Sequence, residues 1–366
     1  MCLLAQTFNY LHGGGGHFWA YLNWALGLRS NGCEVIWMET VEADDATLEA
    51  GLAQLKGYLR PYGLDAGVAL VAERRPELPR TVAAACLPFE AGRAADLLIN
   101  FRYGLAPERV AAFRRSALVD IDPGLLQHWI AQGQLELARH DVYFTIGEHV
   151  SSPGIEWRRA RPCVSLAEWP VVAAPPGAPF TTISHWYANE WVHDNRTGAT
   201  FDNSKRAGFA PYLELPSRVR APLELALCLD MDDSEALGLR ARGWRVTHAH
   251  RVASDPDAYQ EYVRRSAGEF AAVKPSCLRF GNAWMSDRTV CFLASGKPAI
   301  VEHTGPSDTL PERAGLWRFH DLDEAAEMVE TVRGDYPRQA RLARQLAEEQ
   351  FDAAQVTHRV LEAALA

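Results

Sequence analysis

The chain has 366 residues, 48% of them hydrophobic and 23% charged, with a formal net charge of −9. That length predicts two domains with apolar material for a core in each, and the acidic balance argues against a nucleic-acid-binding surface, which needs a basic stripe. Seven scattered cysteines without C-x-x-C spacing predict free thiols and no structural zinc; no apolar run of about 18 residues is present to span a membrane, and the N-terminus lacks the basic start of a signal peptide, so the expected compartment is the cytoplasm.

Residues 2–11, CLLAQTFNYL, read as a strand ending in the glycine run HGGGGH. Residues 17–32 place Phe18, Leu22, Ala25 and Leu26 at helical spacing and stop at Gly32. CEVIWMET is a strand again, which completes one β-α-β unit of a parallel sheet. The alternation continues with a helix over 43–62, strands at GVALVAE, ADLLINFRYG and SALVDIDPG, a helix over 125–140 and a strand at DVYFTIGEHV. Pro- and Gly-rich stretches from 151 to 180 read as an interdomain connection. TTISHWY opens a second sheet, and the polar residues 193–212 read as a long loop. Strands at APLELALCLD, WRVTHAH, GEFAAVKP and PAIVEHT then alternate with helices over 233–243, 255–266 and 286–296. Asp255 with Pro256, and Ser286, are the expected helix starts. From Asp321 the chain is helical, ending in an amphipathic stretch near 336–365. Two α/β halves joined by a Pro-rich hinge predict a cleft at the carboxyl ends of the strands.

The glycine run admits three readings. A dinucleotide fingerprint fits Gly13 and Gly15 but meets Phe18 at its third position, although Glu39 could hold a ribose. A tight turn is the second. The third is an open loop, Gly14, Gly15 and Gly16, that faces a cleft substrate beside His17. A histidine at a helix N-terminus is disfavoured as imidazolium, so His17 would be a neutral general base near pH 7; His12 is the alternative on the far side of the glycines.

The second informative stretch is RFGNAWMSDRTVCFLASGKPAIVEHTGPSD, residues 279–308. A glycine loop precedes a helix whose unpaired N–H groups suit a phosphate. Gly281 and Asn282 form the loop, Ser286, Asp287, Arg288 and Thr289 open the helix, and Thr304 and Gly305 lie at the next strand tip. A leaving diphosphate gains negative charge that helix amides, hydroxyls and a guanidinium would stabilise without a metal. The alternative is that Ser286 only caps the helix and Arg288 pairs with a local carboxylate.

GHFWAYLNWALGLRSNGCEV and residues 279–308 resemble the opening and the donor-binding segment of GT-B glycosyltransferases. The resemblance implies two Rossmann-like α/β domains facing across a cleft, with the final helix crossing back: residues 1–172 plus 337–366 as the acceptor domain and 173–336 as the nucleotide-sugar domain. It implies transfer of a sugar from a nucleotide-diphosphate donor to a specialised metabolite, nucleoside or sugar, with His17 as base, no cofactor and no metal. Cys291 stands where many retaining members carry a ribose-binding Glu, so ribose recognition is expected from Glu302 or Asp308, and the missing Glu points towards inversion.

Other residues keep two readings. Asp120 and Asp122 end a strand; one would orient His17 or bind an acceptor hydroxyl, with Asp122 as the catalytic partner, or Asp122 caps a helix. Glu148 sits at another tip facing the cleft, and Lys274 could reach a phosphate. The rivals of the transferase reading are a nucleotide-sugar 2-epimerase on the same fold, a non-catalytic nucleotide-sugar-binding protein and an NAD-dependent dehydrogenase.

Overall fold

The computed structural model describes residues 1–43, 46–73, 77–188, 190–195 and 197–366. Positions 44 and 45 of the helix expected over 43–62, position 189 in SHWYANEW and position 196 in the loop expected over 193–212 lie outside them.

The first sheet is wholly parallel. Its strands are β1 (Cys2–Leu4), β2 (Ile36–Val41), β3 (Val68–Ala72), β4 (Leu98–Asn100), β5 (Ser116–Asp120), β6 (Val142–Thr145) and β7 (Trp157–Arg159), in the order β3-β2-β1-β4-β5-β6-β7. Interior strands such as Leu98–Asn100 are buried along their length, as expected for a parallel sheet covered by helices on both faces.

The second sheet is built from β8 (Phe180–His185), β11 (Leu223–Cys228), β12 (Arg245–His248), β13 (Gly268–Ala271), β14 (Ala299–Glu302), β15 (Arg313–Ala314) and β16 (Leu316–Phe319), in the order β12-β11-β8-β13-β14-β16-β15. Only the β15–β16 edge pair is antiparallel. A small hairpin of β9 (Trp191–His193) and β10 (Thr200–Asp202) stands apart. Both sheets show the doubly wound order in which the strand sequence reverses at the first strand, and a crevice opens at that switch point.

The helix Gly15–Ser30 explains how the halves meet. Phe18, Trp19, Tyr21, Leu22, Trp24, Ala25 and Leu28 are all buried, more than one face can supply, so this helix is covered on several sides. Besides the first sheet it touches the helix Pro256–Arg265 and the final helix Ala353–Leu365. Trp19 donates to the Pro256 carbonyl at 2.9 Å. Asn31 donates to Ala354 O at 2.8 Å and to Thr357 Oγ1 at 2.9 Å. At Gly27 a Cβ would lie 2.5 Å from the Ala353 carbonyl oxygen, so glycine permits this close approach. One apolar cluster therefore runs without a break from Leu3 and Trp24 through Tyr259 and Phe292 to Val356 and Val360.

Several local expectations shift. The strand over 2–11 is only β1, followed by a single 3-10 turn at Phe8–Tyr10. The helix over 125–140 ends at Ala131, just before Gly133 takes φ +68°. The presumed connection contains β7, and the presumed loop over 193–212 holds most of the β9–β10 hairpin and the helix Lys205–Phe209. All seven cysteines are free.

Candidate functional site

The carboxyl ends of β1 and β5 face those of β8 and β13 across a cleft. From the first domain His17 enters it on the opening turn of the first helix. Its Nε2 lies 2.7 Å from the Gln6 carbonyl oxygen. A carbonyl can only accept, so Nε2 carries the proton and Nδ1 is the free lone pair. The ring lies 4.6 Å from that of Tyr10 and 5.1 Å from that of Tyr21. Burial lowers its pKa, the Gln6 bond opposes this, and His185, at the tip of β8 on the other wall, lowers it again. The imidazole is therefore neutral at pH 7.

Asp122 follows β5. Its surface is open to water, yet protein surrounds it on most sides, as in a cleft. Its carboxylate has no hydrogen-bond partner among the described residues. Burial raises its pKa, Lys274 and Lys205 oppose that, and Glu190 adds to it; these three groups belong to the second domain. Asp122 is not a helix cap, because the helix Leu125–Ala131 starts behind Gly124. Nor does it orient His17, whose protonated nitrogen is held by Gln6. Asp120 is internal: it is fully buried and accepts from Asp122 N, Gln127 Nε2 and Thr145 Oγ1 at 2.8–2.9 Å and from Tyr103 Oη at 3.2 Å.

The opposite wall is the start of the helix Asp287–Ala294. Ser286 caps it, accepting from Arg288 N at 3.2 Å. Asp287 at the first helical position has its pKa pushed up to about 7, by burial first and by Asp122 across the cleft second. Trp284 reaches over to the Ile121 carbonyl at 3.2 Å. Lys274 pairs with Glu190 at 2.6 Å. Lys205 lies 5.9 Å from the Trp284 ring and donates to Ala272 O at 3.2 Å. Burial and the nearby Arg288 bring its pKa down to about 8. The sequence reading missed Lys205 because it lay in a segment taken for loop; the S-K-R run after Asn203, with Ser204 as a helix cap, was the available signal.

Other expected site residues serve the fold. Arg288 donates to the fully buried Glu269 at 2.5 Å and to Ile183 O at 2.8 Å, the local-carboxylate alternative. Thr289 is buried inside the helix. Glu302 is buried and accepts from Tyr212 Oη at 2.6 Å and Val273 N at 3.0 Å, so both oxygens are engaged within the domain. Thr304 donates to Trp284 O at 2.8 Å. Gly281 and Gly305 bring two loops together, since a Cβ on Gly305 would lie 2.2 Å from Gly281 O. Asn282 is 2% exposed, with neither side-chain polar atom partnered, and its carbonyl accepts from Glu148 N at 2.7 Å. Asp308 N donates to Glu148 at 2.9 Å.

Two expectations are corrected. Glu148 does not face the cleft. Its buried carboxylate joins Arg159 at 3.0 Å and Arg161 at 2.9 Å to Ser307 at 2.6 Å, a clasp between the domains. Glu148, His149 and Asp308 also lie close enough to suggest a cation site, but those guanidiniums already neutralise Glu148. The loop of Gly14, Gly15 and Gly16 is not open. A Cβ on Gly15 would lie 2.1 Å from Asp255 O, one on Gly16 2.6 Å from the Tyr259 ring and one on Gly14 2.3 Å from Tyr10 O. Gly15 and Gly16 are glycine because two domains touch there, and Gly14 because its own domain's Tyr10 crowds it.

A cavity of about 310 Å³ opens in the first domain, lined by Gln6 and Tyr10, the neighbours of His17, and by Asn9, Thr40, Arg102 and Tyr103 among others. Arg102 pairs with Glu73. Buried Glu39 accepts from Thr7 N and Trp37 Nε1 at 3.0 Å, so it is a structural carboxylate rather than a ribose ligand.

No family model matches the chain, and no curated protein matches its sequence. Solved structures do resemble it. HepE of Anabaena in complex with UDP-glucose is 11% identical, with 99% of this chain and 98% of that chain covered at a TM-score of 0.59. Sucrose-phosphate synthase of Thermosynechococcus elongatus is 11% identical, with 99% of each chain covered at 0.54. A putative UDP-N-acetylglucosamine 2-epimerase of Listeria monocytogenes is 10% identical, with 99% and 94% covered at 0.50. The fold is GT-B: two parallel α/β domains across a cleft, with the last helix returned to the first.

Proposed function

We propose that the protein is a nucleotide-sugar-dependent glycosyltransferase. The carrying observation is the pairing of walls: a neutral histidine with a free Nδ1 on one side, and a capped helix start beside Lys205 and Lys274 on the other. The diphosphate of the donor sits on the helix start at Ser286, and the two ammonium groups take up the charge that develops as the glycosidic bond breaks. Those cations make the step independent of a metal. His17 Nδ1 receives the acceptor hydroxyl proton as that oxygen attacks the anomeric carbon, which inverts its configuration. UDP is the first nucleotide to test, because HepE was solved with UDP-glucose.

The acceptor occupies the cavity of the first domain. Amides, hydroxyls and a guanidinium line it beside the half-exposed Tyr10 ring, a surface suited to a polyhydroxylated acceptor such as a sugar. The test is incubation with UDP-sugars, with and without a panel of sugars and of aromatic alcohols, following UDP release and product. Release of UDP that rises with sugar acceptors is expected; no turnover of any nucleotide-sugar would overturn the reading.

The 2-epimerase reading keeps one observation of its own. Asp122 and Asp287 face each other with raised pKa values, an arrangement able to move a proton on and off a bound sugar. An epimer as sole product from the donor alone would favour it.

A further inference from the structure

Outside the cleft, a second concave site lies where β7 meets the final helix. Its volume is about 330 Å³, and four arginines line it, Arg158, Arg159, Arg161 and Arg359, against the carboxylate of Glu349. In a chain of net charge −9 this concentration of positive charge demands an explanation. Glu148 does not supply one, since it touches only Arg159 and Arg161. Arg158 donates to the Ala363 carbonyl at 3.1 Å, which leaves its charge uncompensated. Arg359 has no hydrogen-bond or ion-pair partner among the described residues. Arg161 is 5% exposed, and its Nη1 is buried without a partner. An unpartnered guanidinium nitrogen is costly to bury. The floor of the site is apolar, formed by Phe144, Val356 and Val360.

We propose that this site binds a soluble phosphomonoester: its phosphate across the arginines, its carbon skeleton on the apolar floor. Guanidinium groups meet phosphate oxygens in pairs, and arginine is the side chain suited to that geometry. The site is distinct from the sugar-donor cleft, since none of its arginines comes from the residues of either cleft wall.

The test is calorimetric titration of the full chain with inorganic phosphate and with glycerol 3-phosphate, in buffers matched in ionic strength with chloride. Saturating UDP is present so that the cleft does not take up the probe. One saturable equivalent is expected, tighter for glycerol 3-phosphate than for inorganic phosphate. Arg359→Ala and Arg158→Ala should each weaken it at least tenfold while leaving the UDP affinity unchanged. Heats no larger than those of chloride, or wild-type affinity in both variants, would overturn the proposal. Arg161→Gln removes the unpaired nitrogen but also loosens the Glu148 clasp; if it fails to fold, the two exposed arginines decide.

Discussion

At the scale of single residues the cleft holds four titrating groups whose environments push them in opposite directions, His17 and Lys205 down, Asp122 and Asp287 up. His17 is lowered, mainly by burial. A base must be deprotonated to act, so the acidic limb of the pH–rate profile should fall below the ordinary histidine range. His17→Ala should cost on the order of 10²–10⁴ in kcat and abolish that limb, with UDP affinity unchanged. His12→Ala, at the exposed side of the glycine run, should do neither. Normal kcat in a folded His17 variant would remove the base from this position.

Asp287 moves the other way, to about 7. Its folded pKa lies above the unfolded value near 3.8, so between those limits the folded protein holds a proton that the unfolded chain has lost. Stability from this group is full below pH 4, falls as pH rises towards 7, and is level above it. Asp287→Asn should therefore raise the melting temperature at pH 8 and leave it near wild type at pH 4. The same charge opposes a diphosphate on the helix start, so wild-type UDP affinity should decline through pH 7 and the variant should show a flatter profile. Equal pH dependence in both proteins would contradict the assignment.

At the scale of elements, the glycine run and the first helix act as a contact surface. Gly15→Ala places a methyl group against Asp255 O. The helix Pro256–Arg265 must then shift, at a cost of about 1–3 kcal/mol, measurable as a lower urea midpoint. Such elements differ in how far the sequence reveals them. The first β-α-β unit was legible because apolar spacing switches from strand to helix and back between Cys2 and Thr40. β7 was not, because Trp157-Arg158-Arg159 is an edge strand with a polar face, and edge strands lack the apolar run that marks interior ones. The glycines were legible as special, but not the reason, since Asp255 and Tyr259, which crowd Gly15 and Gly16, lie some 240 residues away in the chain. Asp122 stands just past a strand end and His17 at a helix start, where a periodicity argument places them in the cleft. Lys205 comes from the other domain and carries no local sign of its ring neighbour Trp284.

At the scale of the whole molecule, the domains are joined by more than a hinge. Glu148 is shared by Arg159, Arg161, Ser307 and Asp308 N. Removing its charge strands two guanidiniums, one of them nearly buried. Glu148→Gln should destabilise by about 3–5 kcal/mol, the usual consequence of breaking one side of a buried ion pair. If the melting temperature does not move, the clasp carries no load. The two-domain division was legible from the Pro-rich stretch near 168–180; the clasp was not, because its acid and its partners sit far apart in sequence.

The final helix also governs when the protein can become itself. Gly27 and Asn31 of the first helix receive Ala353, Ala354 and Thr357, while Val356, Val360 and Ala364 are buried beneath. A nascent chain that has cleared the ribosome only as far as residue 350 has every strand of both sheets, yet an apolar groove on its first helix still stands open to water. Until residues 352–366 dock, that groove is the apolar surface a chaperone would hold. Ribosome-bound chains truncated before Asp352 should be cut by protease near the first helix, and a synthetic peptide of residues 352–366 supplied in trans should protect them.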